Sequence, residues 1–321
     1  MTPMPTQTPG PAPAISLVVE TANTRPGAYR DVFATLEALT AQSLPRDAFE
    51  ILVIVNPDVH PTLAADVAAA APHVRVIEVH GSAYFPQKNV GAQHARADIV
   101  GFVDSDVTPG PHWASSVLDA FARNGESMAA VQGPLTMERG VLATAFRIRN
   151  FSHQQGGSER RIPGLAVCNC AMRRTDLLDE PFATISYFHG AEVRKVARLT
   201  QQGRYVLLLP GASCRHRFDP ATLRYFLTRS VYWGYCFLEL RRDAPASVPH
   251  AWFFQRIGPL APLALAPAKA LLDIRRLVQH RRYLDLSAPR LVACAAALVL
   301  SAVAVGWGAA RWTLGRRAPQ F

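Results

Sequence analysis

Two carboxylates one residue apart, Asp104 and Asp106, close the apolar run Ile99-Val100-Gly101-Phe102-Val103. Such a run reads as a strand buried on both faces, and in open α/β sheets ligands bind outside the carboxyl ends of the strands. Hard oxygens delivered there suit a divalent cation, which takes one or two carboxylates and completes its shell from a substrate's phosphates. Asp-x-Asp alone is common in surface turns. At the end of a buried strand it is a candidate metal and diphosphate site. The five cysteines, Cys168, Cys170, Cys214, Cys236 and Cys294, include no Cys-x-x-Cys pair and no histidine at zinc spacing. Neither a disulfide framework nor a zinc site is expected, and Cys168 and Cys170 read as buried positions of a strand running from Leu165.

The elements that must position these groups follow from periodicity. Apolar β-rich runs predict strands at Ile15–Thr21, Glu50–Asn56, Val74–His80 and Ile99–Val103, with helices at Ala28–Gln42, Pro61–Ala71, Pro86–Ala97 and Pro111–Arg123 between and after them. Each of those prolines stands where a helix would start, the position it disturbs least. The alternation predicts a parallel or mostly parallel sheet covered by helices. Further along, strands are expected at Met128–Gln132, Leu165–Met172 and Tyr205–Leu209, and helices at Thr175–Leu178, Ala191–Gln202 and Pro220–Arg242. The polar stretch from Phe151 to Pro163 reads as a mobile loop near a site.

The chain has 321 residues, 49% hydrophobic and 18% charged, with a net charge of +10. That composition excludes disorder as the main state and leaves room for a sizeable core. Residues 1–13 carry five prolines and no charge, and read as a tail rather than a signal peptide. Leu291–Ala310 is uncharged for twenty residues between Arg290 and Arg311, long enough at about 1.5 Å per residue to cross a bilayer core. A second apolar stretch, Ile257–Leu272, is broken by three prolines and Lys269 and reads as interfacial or re-entrant. Residues 257–321 hold nine Lys and Arg against Asp273 and Asp285. Most of the basicity therefore flanks membrane segments on their cytosolic side, and a nucleic-acid partner is not expected.

With those elements in place, Lys88-Asn89-Val90-Gly91 leading into the strand that ends Asp104-Ser105-Asp106, followed by Pro109 and Trp113, resembles the family 2 glycosyltransferases. That pattern is an (Arg/Lys)-Asn-x-Gly helix and then a strand closing in Asp-x-Asp. The resemblance continues at Ile15–Asn23, Glu50–Asp58 and Asn169–His216, about 200 residues in order. It implies an α/β GT-A fold over 14–245, a Rossmann-like mixed sheet flanked by helices, followed by a membrane-associated region over 246–321.

The resemblance also implies roles. Asp106, with Asp104 and His216, would hold Mg2+ or Mn2+ on the diphosphate of a nucleotide-sugar donor. Thr21, Asn23, Asn56, Asp58, Lys88 and Asp104 would bind that donor. Where the family carries Pro-Thr-x-Asn, this chain has Glu20-Thr21-Ala22-Asn23, and Asn56 stands where an acidic residue reads the base. Inverting transfer needs a base at the acceptor hydroxyl. Counting back from Arg198, Glu192 falls on the second acid of the family's pair, with Ala191 in place of the first. The segment Arg229–Gly234 resembles the aromatic and basic stretch that meets an acceptor or a lipid headgroup.

Plainer readings stand beside these. Lys88 could be a solvated residue at a helix start, Glu192 a carboxylate favoured only by the helix dipole, and His216 a structural histidine. As a whole, the reading is a glycosyltransferase at the cytosolic face of the inner membrane, moving a sugar to a lipid-linked or polysaccharide acceptor. The alternatives are a catalytically degenerate assembly subunit, or a nucleotidyltransferase, whose glycine-rich loop after the first strand is missing.

Overall fold

The computed structural model describes residues 12–27, 29–183, 190–217, 222–243 and 251–316. The tail expected over 1–13 lies outside them except for its last two residues. From Ile15 onward strand and helix alternate: β1 (Ile15–Glu20), α1 (Arg30–Thr40), β2 (Phe49–Val55), α2 (Leu63–Ala70), β3 (Arg75–Glu78), α3 (Tyr84–His94) and β4 (Ile99–Val103). β1, β2 and β4 are buried at every position, which is why their sequences run apolar without alternation. Pro61 stands two residues ahead of α2, and Pro86 is the third residue of α3. Neither place costs an intrahelical hydrogen bond.

The second half follows as β5 (Val107–Pro109), α4 (Trp113–Asn124), β6 (Met128–Gln132), β7 (Leu135–Thr136), α5 (Val141–Phe151), β8 (Arg160–Ile162), β9 (Asn169–Arg173), α6 (Arg174–Asp179), α7 (Ala191–Gln201), β10 (Tyr205–Leu208) and β11 (Cys214–His216). Eight strands form one sheet in the order β3-β2-β1-β4-β9-β6-β10-β8, while β5, β11 and β7 form a small second one. β9 runs antiparallel to both β4 and β6, so the sheet is mixed. β1 has β2 on one side and β4 on the other, both parallel to it. The switch point between the ends of β1 and β4 is where a crevice must open.

Helices α1, α2 and α4 cover one face of the sheet, and α3, α6 and α7 cover the other. Gly101 in β4 lets Trp113 lie flat on the sheet, since a Cβ there would stand 2.7 Å from the indole. The indole Nε1 in turn donates to Asn169 Oδ1 at 2.7 Å, tying α4 to β9.

Three expectations change. The strand expected from Leu165 begins only at Asn169, because the Gln132 side chain takes up the backbone that would have paired. Its Oε1 accepts from Ala166 N at 2.5 Å and its Nε2 donates to Asn169 O at 2.7 Å. The loop expected over 151–163 contains a 3-10 turn, Ser152–Gln154, and the edge strand β8 against β10. The helix α5 stands where the sequence pattern predicts no element.

Four helices close the described chain: α8 (Leu223–Asp243), α9 (Ala251–Ile257), α10 (Ala261–His280) and α11 (Ala288–Thr313). The apolar stretch expected to be interfacial or re-entrant over 257–272 falls mostly in α10, a helix that continues to His280 with Pro267 inside it. α11 packs against α8, α10 and α5. Gly234 of α8 faces Val305 of α11, and Gly308 of α11 faces Val231 of α8, so closely that a Cβ at either glycine would collide with the opposite carbonyl oxygen. Gly234→Ala or Gly308→Ala should therefore each destabilise the protein by about 1–3 kcal/mol through overpacking, read as a lowered unfolding midpoint in detergent. Gly157→Ala, with open space around its Cβ position, is the control expected to leave the midpoint unchanged.

Candidate active site

The end of β4 carries Asp104 and Asp106 to the switch point, and the small sheet brings His216 to them. β11 lies antiparallel to β5 with His216 opposite Val107, and Arg217 N donates to Asp106 O at 2.8 Å. Asp106 Oδ1 is shut off from solvent and accepts no hydrogen bond among the described residues. The His216 imidazole is its near neighbour, with Nε2 at 3.9 Å. Burial pushes the Asp106 carboxyl above its usual range, His216 pulls it back, and the Asp104 charge raises it further. A buried carboxylate oxygen without a donor is costly, and a divalent cation bound by Asp106 and His216 would satisfy it. Among the described residues no group of three or more His, Cys, Asp or Glu side chains converges as a ready-made metal cage, at this site or any other. Most of the shell would thus come from phosphates and water, as hard cations at such sites prefer.

Asp104 is held differently. It accepts from Lys88 Nζ at 2.5 Å, from Tyr84 Oη at 2.9 Å and from Asn23 Nδ2 at 3.1 Å. Lys88 is fully buried, with its ammonium 4.5 Å over the Tyr84 ring. Burial pushes that ammonium down, but Asp104 and Glu20 more than offset it and leave it above its usual value. Expected on the diphosphate, Lys88 instead stands behind Asp104 and reaches no solvent. Glu20, seen in the sequence only as a departure from a family proline, is a buried member of the same cluster. It accepts from Ala22 N at 2.7 Å and Asn23 Nδ2 at 3.2 Å. Burial first, then the Asp104 charge, hold its carboxyl well above the usual range. A carboxylate closing an apolar strand was the signal that could have marked it.

The remaining expected donor contacts sit to one side. The Thr21 hydroxyl donates to Ile54 O at 2.9 Å, and its amide donates to Gln87 Oε1 at 2.8 Å, bracing the end of β1. Asn56 donates to Ser82 O at 3.2 Å and accepts from Asp58 N at 3.1 Å. Asp58, half-exposed, accepts from His80 Nδ1 and Gly81 N, each at 2.7 Å. The His80 hydrogen bond is the main cause holding the Asp58 carboxyl below its usual value. These three residues form a rim beyond the ends of β1 and β2.

Glu192 is the second residue of α7, two after the cap Gly190, whose φ of 119° suits glycine alone. Its Oε2 accepts from Gly190 N at 3.0 Å, yet burial pushes the carboxyl up to about 7. A single cavity of about 850 Å³ gathers Glu192 with Asn23, Tyr84, Asp104, Asp106 and His216. Thr21, Asn56, Asp58 and Lys88 do not line it. Its other walls come from α5, the segment after it, and α8, including Phe146, Arg149, His153 and Trp233. Burial, then Arg276 and Arg160, push the His153 imidazole down to about 4, so it stands neutral at the wall. Trp233 belongs to the aromatic and basic stretch singled out in the sequence, and His153 to the polar stretch expected near a site, whereas Phe146 and Arg149 lie in α5, which the sequence did not reveal.

Residues 18–180, half of the chain, match a family model described as glycosyl transferase family 2. Glycosyltransferase AglE of Haloferax volcanii is 23% identical over 173 residues, which cover 52% of this chain and 56% of that protein. The chain thus spans little more than half the length of that relative. A structure of the mannosyltransferase PcManGT from Pyrobaculum calidifontis with GDP-Man and Mn2+ superposes with a TM-score of 0.54 at 17% identity, over 91% of this chain and 86% of that one. One of GalNAc-T7 with UDP, GalNAc and Mn2+ gives 0.50 at 12% identity, over 64% and 43%. At such identities the likeness is one of fold, and the fold is GT-A.

Removing the cation behind Asp104 tests how the site is held. Lys88→Met leaves a buried carboxylate without its counter-charge, and should cost about 3–5 kcal/mol in denaturant unfolding. An unchanged midpoint would mean that Tyr84 and Asn23 suffice to hold Asp104.

Proposed function

The chain belongs to glycosyl transferase family 2, and we propose from this premise that it moves a sugar from a nucleotide-diphosphate donor to a lipid-linked or polysaccharide acceptor at the cytosolic membrane face. The observation that carries the reading is the solvent-excluded Asp106 Oδ1, which lacks a donor, beside His216 in a cavity shared with Glu192. The neighbouring structures that hold Mn2+ with UDP and GalNAc, or with GDP-Man, support a nucleotide-sugar donor and a divalent metal. Asp106 and His216 would hold Mg2+ or Mn2+, which when bound would supply charge neutralisation for the departing nucleoside diphosphate. Asp104, with both oxygens engaged by Lys88, Tyr84 and Asn23, is fixed beside the metal and ribose positions, and would reach either by exchanging one of those donors. We assign Asn56 and Asp58, on the rim beyond β2, to the base and ribose.

Glu192 takes the proton from the acceptor hydroxyl as its oxygen bonds to the anomeric carbon and the bond to the diphosphate breaks on the opposite face, inverting the centre. A base is most effective when its pKa lies near the working pH, and burial brings Glu192 to about 7.

Among the described residues, α11 is the one helix long and apolar enough to cross a membrane. Val292, Val303 and Trp307 on α11, with Leu263 and Leu271 on α10, are exposed. We assign that outward face to the bilayer of the inner membrane. The inward face is occupied, because Ser301 near the middle of α11 accepts a hydrogen bond from Arg149 of α5 at 3.0 Å.

Two measurements decide the chemistry. Calorimetry with a panel of UDP-, GDP- and dTDP-sugars should show binding of at least one donor that depends on Mn2+ and is lost in Asp106→Ala. Binding that survives both EDTA and that substitution would sink the metal-site reading. For the base, kcat/KM should rise with pH through about 7, as Glu192 loses its proton. Glu192→Gln should cut turnover by about 10²–10⁴-fold while sparing donor affinity, and a profile flat across neutral pH would move the role of base to another residue.

A further inference from the structure

The cavity has a second charged region that the transfer chemistry leaves unused. Arg149 lines the cavity and is only 4% exposed. One terminal nitrogen donates to Ser230 Oγ and Ser301 Oγ, and the guanidinium lies 5.3 Å from the centres of the Phe146 and Phe226 rings. Its Nε is buried and donates to nothing among the described residues, and no carboxylate there is paired with it. The acid that acts on it, Asp273 of α10, is taken by Lys269 at 2.5 Å, with Arg276 at 3.8 Å. Arg229 of α8, another cavity residue, repels it. Burial, and after it Arg229, push the Arg149 guanidinium down to about 9: it is a cation destabilised where it stands.

A buried cation without a counter-ion is costly, and a charge-assisted hydrogen bond to an anion relieves that cost. Beside it the walls are aromatic, with Phe151, Tyr225 and Trp233, and α10 and α11 turn apolar faces outward from the same bundle. An anionic group on an apolar chain fits both. We propose that Arg149 and Arg229 bind the phosphate of an amphiphilic acceptor, a long-chain alcohol that carries its sugar through a phosphate ester, holding a hydroxyl of that sugar toward Glu192. The proposal rests on the lipid-linked acceptor reading above and adds to it the site and the charged group recognised.

The test uses the full chain in detergent with EDTA, which silences metal-dependent donor binding, and compares farnesyl phosphate, farnesol and inorganic phosphate by equilibrium binding. Farnesyl phosphate should bind at least about tenfold more tightly than either of the others. Arg149→Gln and Arg229→Gln should each weaken it by about ten- to a hundredfold, the loss of a charge-assisted hydrogen bond, without changing farnesol. Because Arg149 also ties three helices together, Arg229→Gln is the deciding variant if Arg149→Gln unfolds. Asp106→Ala should leave farnesyl phosphate binding intact. Equal affinity for farnesol and farnesyl phosphate would overturn the proposal, as would equal affinity for inorganic phosphate, no effect of Arg229→Gln, or displacement by the nucleoside diphosphate in EDTA. Tight farnesyl phosphate binding in a protein that turns over no nucleotide sugar would uphold the phosphate site and remove the transferase reading.

Discussion

A buried ammonium neutralising a buried carboxylate at the end of β4 is the contact around which the donor half is arranged. Three acids, Glu20, Asp104 and Asp106, crowd the switch point between β1 and β4, and at low dielectric their mutual repulsion is severe. Lys88 removes one of those charges by bonding Asp104 at 2.5 Å. Burial drives Glu20 toward its neutral form. What remains exposed to an incoming cation is Asp106, whose Oδ1 lacks a hydrogen-bond donor. The division of labour among the carboxylates is thus set by which of them has a partner, more than by where each falls in the Asp-x-Asp pattern.

That division explains which parts of the site could be read from the sequence and which could not. β4 with its two aspartates, the end of β1 and the start of α7 each carry their evidence locally, in an apolar run closed by a carboxylate or in a glycine ahead of an acid. Lys88 misled for the same reason. In sequence, a lysine in the first half of a helix looks solvated, and nothing local says that the helix lies over Phe102 with the ammonium turned inward, against the ring of Tyr84 in its own first turn. The His216 contact with Asp106 depends on three-residue strands, too short to show a period, pairing across more than a hundred residues.

The fold follows the same rule. β1, β2 and β4 lie within a residue of their apolar runs, because strands buried on both faces leave an unbroken signature. α5 was invisible because Arg149 sits in its buried stripe with Ala145, Phe146 and Ile148, and a charged residue there defeats a search for an apolar face. The strand expected from Leu165 stopped short because a side chain, Gln132, replaced the neighbouring backbone as hydrogen-bonding partner. In both places the departure from local pattern lies on the cavity wall, where function constrains the chain more than packing does.

The same cavity joins the two halves of the molecule. α8 lines it with Arg229 and Trp233 on one side and meets α11 on the other through Gly234 and Gly308, with the backbones in contact. Arg149 bonds α5 to both helices at the level of Ser230 and Ser301. A packed interface of this kind transmits displacement rather than absorbing it. Any shift of α11 relative to the catalytic half must therefore move α8, and with it the wall facing Glu192. On the proposed seating of α11 in a bilayer, an acceptor arriving from the lipid would meet a cavity whose wall is fastened to that helix, and seating and transfer would then be coupled through the α8–α11 contact.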